Sequence, residues 1–423
     1  MSPALNKTAL WAFLLTIFLS GMRTIYQDLL PGPVNTLLIL IVLVPPVLGW
    51  ALVWGYAGGV DHMRSPGWRG YPLVMAMFFV ALTCYGAVRG NYYKLIVLDA
   101  IPYIVFLQGF YLSVSRKFWE DMVLPTIILS SIALLVGFTN TSTEVSRNRA
   151  LIVEQRGYRA QNLFYLLPLV YLYCSFVNMR RAHVAMSALL MGVVAFQLVF
   201  LKRAPLVYYL AVIVLSLLVV SVRRQAFAVA TWLAGAVLAA LLAIVALPLD
   251  AIFDNLEKRF IGAKGEGVME VVTYENERLT ELYIMWDDMS LGEKVFGRGM
   301  GGVISGAALE TSGFNTYESD EGVELGKEST HVGYGTYVLK GGLLLLAFMT
   351  APMLMLLLRL PMLGSLDPRA RAASLFMLVQ ALSFLIEGTP SVSSLYLALS
   401  LGLAIGALTI ISGSSHLPAG ARR

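Results

Sequence analysis

His331 is one of only four histidines in the 423-residue chain, and it stands in the stretch GKESTHVGYGTYVLKGG (326–342), where a charged loop meets an apolar run that begins at Tyr337. An unperturbed imidazole titrates near pH ~6.5 and can accept a proton at neutral pH. A second group of residues suits a different task. Arg147, Arg149, Arg156 and Arg159 crowd into EVSRNRALIVEQRGYRAQN, Lys202 and Arg203 open FLKRAPLVYY, and Arg278 lies in YENERLTELYIMWDDM. A guanidinium fork holds phosphate oxygens bidentately, so a diphosphate at a membrane surface is the ligand these arginines suggest. Two plainer roles stay open. The arginines can pair with acidic residues or lipid headgroups, and a histidine at a helix entrance can serve as a cap.

Positioning these residues falls to membrane-spanning helices. The chain is 58% hydrophobic and 13% charged, whereas soluble domains carry about 25% charged residues. Several windows run through the roughly 18 or more apolar residues a helix needs to cross the hydrocarbon. Continuous runs such as WLAGAVLAALLAIVALPL exclude the short alternating segments of a β-barrel. The fold class is therefore an all-α polytopic membrane protein of about 12 transmembrane helices, from a first span at 9–22 to a last at 393–411. Nine spans fall in 1–249, a large loop occupies 250–336, and three spans fall in 337–423. The Pro45-Pro46 pair should kink the second span, 34–57. Arg23 follows the first apolar run where a cleavage site would need small residues, so no cleavable signal peptide is expected. Cys84 and Cys174 fall inside apolar runs and read as packing residues.

Basic residues set the orientation. With the N-terminus in the cytoplasm, the short cytoplasmic segments hold fourteen Lys and Arg against nine in the opposite short loops, which assigns both termini to the cytoplasm. His331 is then on the outer side, while His62, His183 and His416 are cytoplasmic. The outer loop 250–336 holds 17 of the 26 acidic residues. Within it, 274–289 has apolar residues at Leu279, Leu282, Tyr283 and Trp286, the spacing of an amphipathic helix that can lie on the membrane or cap a cavity. The following GEKVFGRGMGG reads as loop. Three charges fall within spans: Asp99 and Glu387 near span ends, where they can reach water, and Lys340 one turn past Tyr337, where it can face the same cavity as His331. The net charge of +5 reports topology rather than a nucleic-acid partner.

Three pieces occur in an order that resembles the O-antigen ligase and polymerase superfamily. They are a basic residue opening a span in LVFLKRAPLVYYLAVIVL, an arginine before a tryptophan-bearing helix in ERLTELYIMW with a glycine-rich stretch after it, and HVGYGTYVLKGG, in which ten residues separate His331 from Gly342. RGYRAQNLFYLLPL is similar to the family's segment around an asparagine, here Asn162. The likeness covers roughly 140–360. It departs from the family at Lys202, often Ser, and at Val332, often Asn or Ser.

The resemblance implies an integral-membrane glycosyltransferase of the bacterial inner membrane with a periplasmic active site. The donor would be an undecaprenyl-diphosphate-linked glycan and the acceptor a sugar of the lipid A core, in contact with membrane lipids. His331 would be the general base. Arg203 and Arg278, with Arg156 and Arg159, would hold the diphosphate, and Asn162, Lys202, Tyr334 and Tyr337 would contact substrate. Gly342 and Trp286 would be structural. Direct attack by the acceptor hydroxyl predicts inversion at the anomeric carbon. Asp287-Asp288 is a candidate metal pair on the helix of Arg278, but arginines can take a metal's place as the diphosphate clamp, and the resemblance implies no metal and no cofactor. A polymerase differs only in taking a second lipid-linked glycan as acceptor. A lipid-linked glycan transporter would also suit the span count, and a non-catalytic scaffold would make the pattern coincidence.

Overall fold

The computed structural model describes residues 2–26, 40–58, 66–144, 161–177, 179–199, 203–219, 280–310, 330, 333–357, 367–384 and 394–414. These are helical almost throughout, with no β-strand among them: α1 (Pro3–Tyr26), α2 (Val44–Ala57), α3 (Pro66–Val88), α4 (Tyr93–Leu112), α5 (Arg116–Asp121), α6 (Val123–Glu144), α7 (Leu166–Val177), α8 (Arg180–Val199), α9 (Arg203–Val219), α10 (280–288), α11 (Leu291–Phe296), α12 (Gly306–Glu310), α13 (Gly333–Leu357), α14 (Pro368–Ser383) and α15 (Leu395–Ser414). Among the described residues five segments are long and apolar enough to cross a bilayer: Pro3–Met22, Gly70–Val88, Tyr93–Leu112, Arg116–Val136 and Gly333–Leu354. The architecture is that of a multi-pass helical membrane protein. The span expected at 226–249 lies outside the described residues, as do 250–279 and 311–329 of the acidic loop.

The helix is interrupted just before the Pro45-Pro46 pair, where a kink was expected. Helix ends at Ile41, a turn covers 42–43, and α2 begins at Val44 with Pro45 and Pro46 in its first turn, where no intrahelical N–H is required. The Gln108 amide of α4 donates to the Pro46 carbonyl. Pro352 inside α13 deprives the Phe348 carbonyl of its usual partner four residues on, and the Tyr71 hydroxyl of α3 donates to that carbonyl at 3.0 Å. Inside a bilayer no water is present to perform that service.

The most extensive helix pair is α4 against α15, near the centre of the bundle. Gly109 of α4 and Gly402 and Gly406 of α15 lie against each other's backbones: a Cβ on Gly109 would come 2.6 Å from the Leu399 carbonyl, and one on Gly402 or Gly406 would strike the Phe106 or Phe110 carbonyl. Small residues four apart permit this approach, and in lipid close packing is the main force holding helices together. The Tyr396 hydroxyl of α15 reaches the Leu14 carbonyl of α1 at 2.8 Å. Helix α14 packs on α15, α7, α9 and α13.

Polar groups gather at the two ends of this bundle. At one end Asp121 takes the Tyr56 hydroxyl at 3.0 Å and lies 3.7 Å from Lys7, while Arg369 donates to the Val114 carbonyl at 2.5 Å. These residues come from segments assigned together to the cytoplasm. At the other end, α3 and α4 meet α11 and α13 around Arg89, Asn91, Arg298 and Lys340.

Gly402→Leu should therefore destabilise the protein by about 1–3 kcal/mol through forced separation of α4 and α15, measured as a fall in the melting temperature in detergent. Gly70→Ala, where a Cβ meets nothing within 4 Å, should leave it unchanged. Equal effects would contradict this account of the packing.

Candidate functional site

The site is organised by a break in α13. Gly342 adopts φ 65°, ψ −166° in the middle of the helix, a conformation closed to residues with a side chain, and a Cβ there would collide with the backbone of Val295. The Leu339 and Lys340 carbonyls consequently face away from the helix that would ordinarily satisfy them. Their donors come from elsewhere: Arg298 N–H reaches the Leu339 carbonyl at 2.8 Å, and Gly299 N–H reaches that of Lys340 at 2.9 Å.

Both donors belong to the stretch GRGMGG (297–302), expected as loop. Instead α11, opened by a capping box between Ser290 and Glu293 and ended at Gly297, precedes it, and the glycines form a tight turn wedged between α3, α4 and α13. Gly297, Gly299 and Gly301 all have positive φ. A Cβ on Gly299 would lie 2.6 Å from the backbone nitrogen of Gly86 in α3. Met300 N–H reaches the Leu82 carbonyl at 3.1 Å, and the Asn91 amide donates to the Arg298 and Met300 carbonyls, both at 2.9 Å.

Charge locks the wedge in place. Lys340 is 2% exposed, and its Nζ donates to Asp99 Oδ2 at 2.6 Å and to the Gly302 carbonyl at 2.9 Å. Gly301 N–H donates to the same carboxylate oxygen at 2.7 Å. Asp99 and Lys340 thus do not act separately, one at water and one at a cavity; they form an ion pair between α4 and α13. Arg298 is held on several sides: its Nη1 donates to Asp288 Oδ2 at 2.8 Å and to the Val303 carbonyl at 2.7 Å, its Nη2 donates to the Asp288 carbonyl at 2.5 Å, and its buried Nε, which makes no hydrogen bond, lies 3.4 Å from Glu293. Glu293 also meets Arg89 at 2.5 Å and accepts from Ser290 N–H at 2.7 Å.

Burial would raise the Asp288 carboxyl, but the Ser305 N–H, the Arg298 guanidinium and the Ser305 hydroxyl outweigh it and hold the group below the ordinary carboxylate range. The same balance holds Glu293 down, with the Ser290 N–H, Arg89 and Arg298 outweighing burial. Asp288, half of the candidate acidic pair weighed and set aside above, is committed to Arg298 and Ser305. Among the described residues no cluster of three or more His, Cys, Asp or Glu is arranged to hold a metal ion.

Helix α10 presents a face different from the one expected. Ile284, Met285 and Met289 pack against Val338 and Leu339 of α13, with Glu281 buried beside them, whereas Tyr283 is 70% and Trp286 41% exposed. Of the expected stripe, Leu282 packs on this cluster while Tyr283 and Trp286 face outward, and Leu279 lies outside the described residues. Trp286 turns outward, with Lys294 Nζ 5.1 Å from its ring centroid.

His331, Lys202, Arg156, Arg159 and Arg278 lie outside the described residues. Arg203 opens α9 and Asn162 sits in the 3-10 turn Gln161–Phe164, both without described side chains. The chain on either side of His331 is nonetheless fixed. Thr330 N–H donates to the Thr336 hydroxyl at 3.0 Å, and Gly333 N–H reaches the Phe384 carbonyl at the end of α14 at 3.0 Å. The Tyr334 hydroxyl donates to the Ala381 carbonyl at 2.7 Å, and Tyr337 is fully buried, edge-on to Phe384. Both tyrosines thereby anchor α13 to α14, and α14 also receives α9, the helix that Arg203 opens. Gly342 is structural in the plain sense that it breaks the helix.

Arg298 and the Asp99–Lys340 pair escaped the sequence reading, although one unlike charge in each of two spans is a signal for pairing. Comparison with protein-family models, curated proteins and solved structures found no match to this chain.

Two expectations follow from these contacts. Lys340→Met leaves the Asp99 charge without its partner and should cost about 3 kcal/mol, most of it recovered in Lys340→Met/Asp99→Asn; unfolding measurements in which the double variant loses the sum of the two singles would refute the pairing. Because the Asp288 and Glu293 carboxyls are depressed in the folded state, their contribution is present above the ordinary carboxylate pKa of ~4 and lost as pH falls through the lower folded values. The melting temperature should drop below about pH 4, and Asp288→Asn should flatten that drop.

Proposed function

We propose that this chain is a glycosyltransferase that moves an O-antigen glycan from undecaprenyl diphosphate to a sugar of the lipid A core, at the periplasmic face of the bacterial inner membrane. The proposal takes about twelve spans, cytoplasmic termini and 250–336 as the periplasmic loop. One observation supports it above the others: Thr330 and Gly333, the nearest described residues before and after position 331, are tied to Thr336 and to the end of α14. A general base must be held at a fixed distance from a lipid-borne substrate, and neighbours anchored in this way suit that role.

In the proposed reaction His331 takes the proton of an acceptor hydroxyl, and the oxygen attacks the anomeric carbon from the face opposite the diphosphate. The new C–O bond forms as the bond to the diphosphate breaks, and undecaprenyl diphosphate departs with both electrons. Arg203 and Arg278, with Arg156 and Arg159, stabilise the charge that grows on the leaving group. Asn162 and Lys202 contact substrate. Tyr334 and Tyr337 set the position of the half-helix that follows the base. No metal or cofactor takes part.

The test uses purified protein, an undecaprenyl-diphosphate glycan and a lipid A–core acceptor, with a chelator present. Transfer to the core should fall by at least about a hundredfold in His331→Ala and comparably in Arg203→Ala, with the product inverted. Transfer only onto a second lipid-linked glycan would make the protein a polymerase. Donor binding without transfer to either acceptor would favour a transporter.

A further inference from the structure

Beside the locked wedge lies an open cleft of about 390 Å³ between α3 and α11, lined among others by Phe78, Ala81, Tyr85, Arg89, Gly292 and Phe296. Its long axis follows one face of α3. From residue 78 to residue 89 a helix rises about 16 Å, close to the ~15 Å of hydrocarbon in a single leaflet. The deep end is apolar. At the shallow end stands Arg89, one residue past the membrane-crossing segment Gly70–Val88, with its guanidinium 5.8 Å from the Tyr85 ring centroid and its side chain 34% exposed.

The surroundings place the cleft at the boundary between lipid and water. Helix α3 is the least enclosed of the five candidate spans, with 28% of its window buried, and Met77, Val80 and Val88 face outward from it. Leu291 and Phe296 of α11 are exposed as well. A few residues past Arg89 in the chain, Lys94 lies 5.4 Å and 5.9 Å from the ring centroids of Tyr92 and Tyr93, and Lys294 of α11 lies 5.1 Å from that of Trp286. Aromatic rings paired with basic side chains are the residues that settle at headgroup level.

We infer that this cleft binds one glycerophospholipid of the surrounding bilayer, an acyl chain running between Phe78 and Phe296 and the phosphate on Arg89. Arg89 gives Nη1 to Glu293, and a guanidinium has five N–H donors, which leaves others for a phosphate oxygen. Through Glu293 the bound phosphate touches the chain of ion pairs that ends at Arg298, so the lipid braces the wedge from the membrane side. The inference does not depend on the proposed reaction.

The test is native mass spectrometry of the full chain in detergent with added phosphatidylglycerol, with the melting temperature followed in parallel. A single-lipid adduct is expected with the wild type, accompanied by a rise in melting temperature on lipid addition. Loss of the phosphate contact in Arg89→Ala should weaken the adduct by about tenfold, the equivalent of one charge-assisted hydrogen bond. Gly292→Leu is the cleaner variant: a Cβ at Gly292 meets nothing within 4 Å, so leucine fills the cleft without disturbing packing. It should abolish the adduct while leaving the lipid-free melting temperature unchanged. An undiminished adduct in Gly292→Leu would overturn the inference. So would preferential retention of undecaprenyl phosphate when both lipids are supplied equally, which would assign the cleft to an isoprenoid chain instead.

Discussion

A helix that breaks inside a membrane must find partners for the backbone groups it releases, because hydrocarbon offers none. Most of what surrounds α13 follows from that requirement. Gly342 turns the chain out of helical register, and the GRGMGG turn returns the missing donors to the Leu339 and Lys340 carbonyls. A turn can do this only if its own backbone lies against that of α13 and α3, and only glycine allows such an approach. Gly297, Gly299 and Gly301 therefore alternate with residues that carry side chains, and Gly86 faces them from α3. Pro352 poses the same difficulty lower in α13, and Tyr71 meets it with a single hydroxyl.

Hydrogen bonds to glycine backbone specify position poorly by themselves, since glycine has many other conformations available to it. Charge supplies the specificity. Asp99 joins Lys340, the Gly301 N–H and, through Lys340, the Gly302 carbonyl into one cluster. Arg298 fastens the far side of the same turn to Asp288 and Glu293. Arg298 thereby staples the turn to Asp288. The outcome is a rigid shelf at one end of the bundle, from which the first half of α13 projects toward α14.

That the chain holds several apolar helices of membrane-crossing length was legible because hydrocarbon imposes length and composition directly on the sequence. Lys7 and Asp121, which span counting puts on the same side, meet at 3.7 Å. The inner stripe of α10 was not legible. Tyr283 and Trp286 are apolar enough to read as core, yet a membrane protein has two apolar environments, and composition does not say which one an amphipathic helix turns toward. Glycine in GRGMGG was ambiguous for a similar reason: it marks both free loops and the closest backbone contacts.

The sequence by itself determined that the chain is helical and crosses a membrane repeatedly, where its helices are interrupted, and that a histidine and several arginines stand near the ends of spans. These are local properties, set residue by residue by hydrophobicity, backbone conformational limits and charge. Only the tertiary structure decided that Asp99 and Lys340 are partners across 241 positions of chain, that Arg298 is held by Asp288 and Glu293, and that Thr330 and Gly333 are fixed around the segment between them. Those outcomes depend on which helices lie side by side. In a bilayer, neighbours are chosen by the close fit of small residues such as Gly109, Gly402 and Gly406 and by the need to satisfy buried polar groups, and neither can be read from one segment alone.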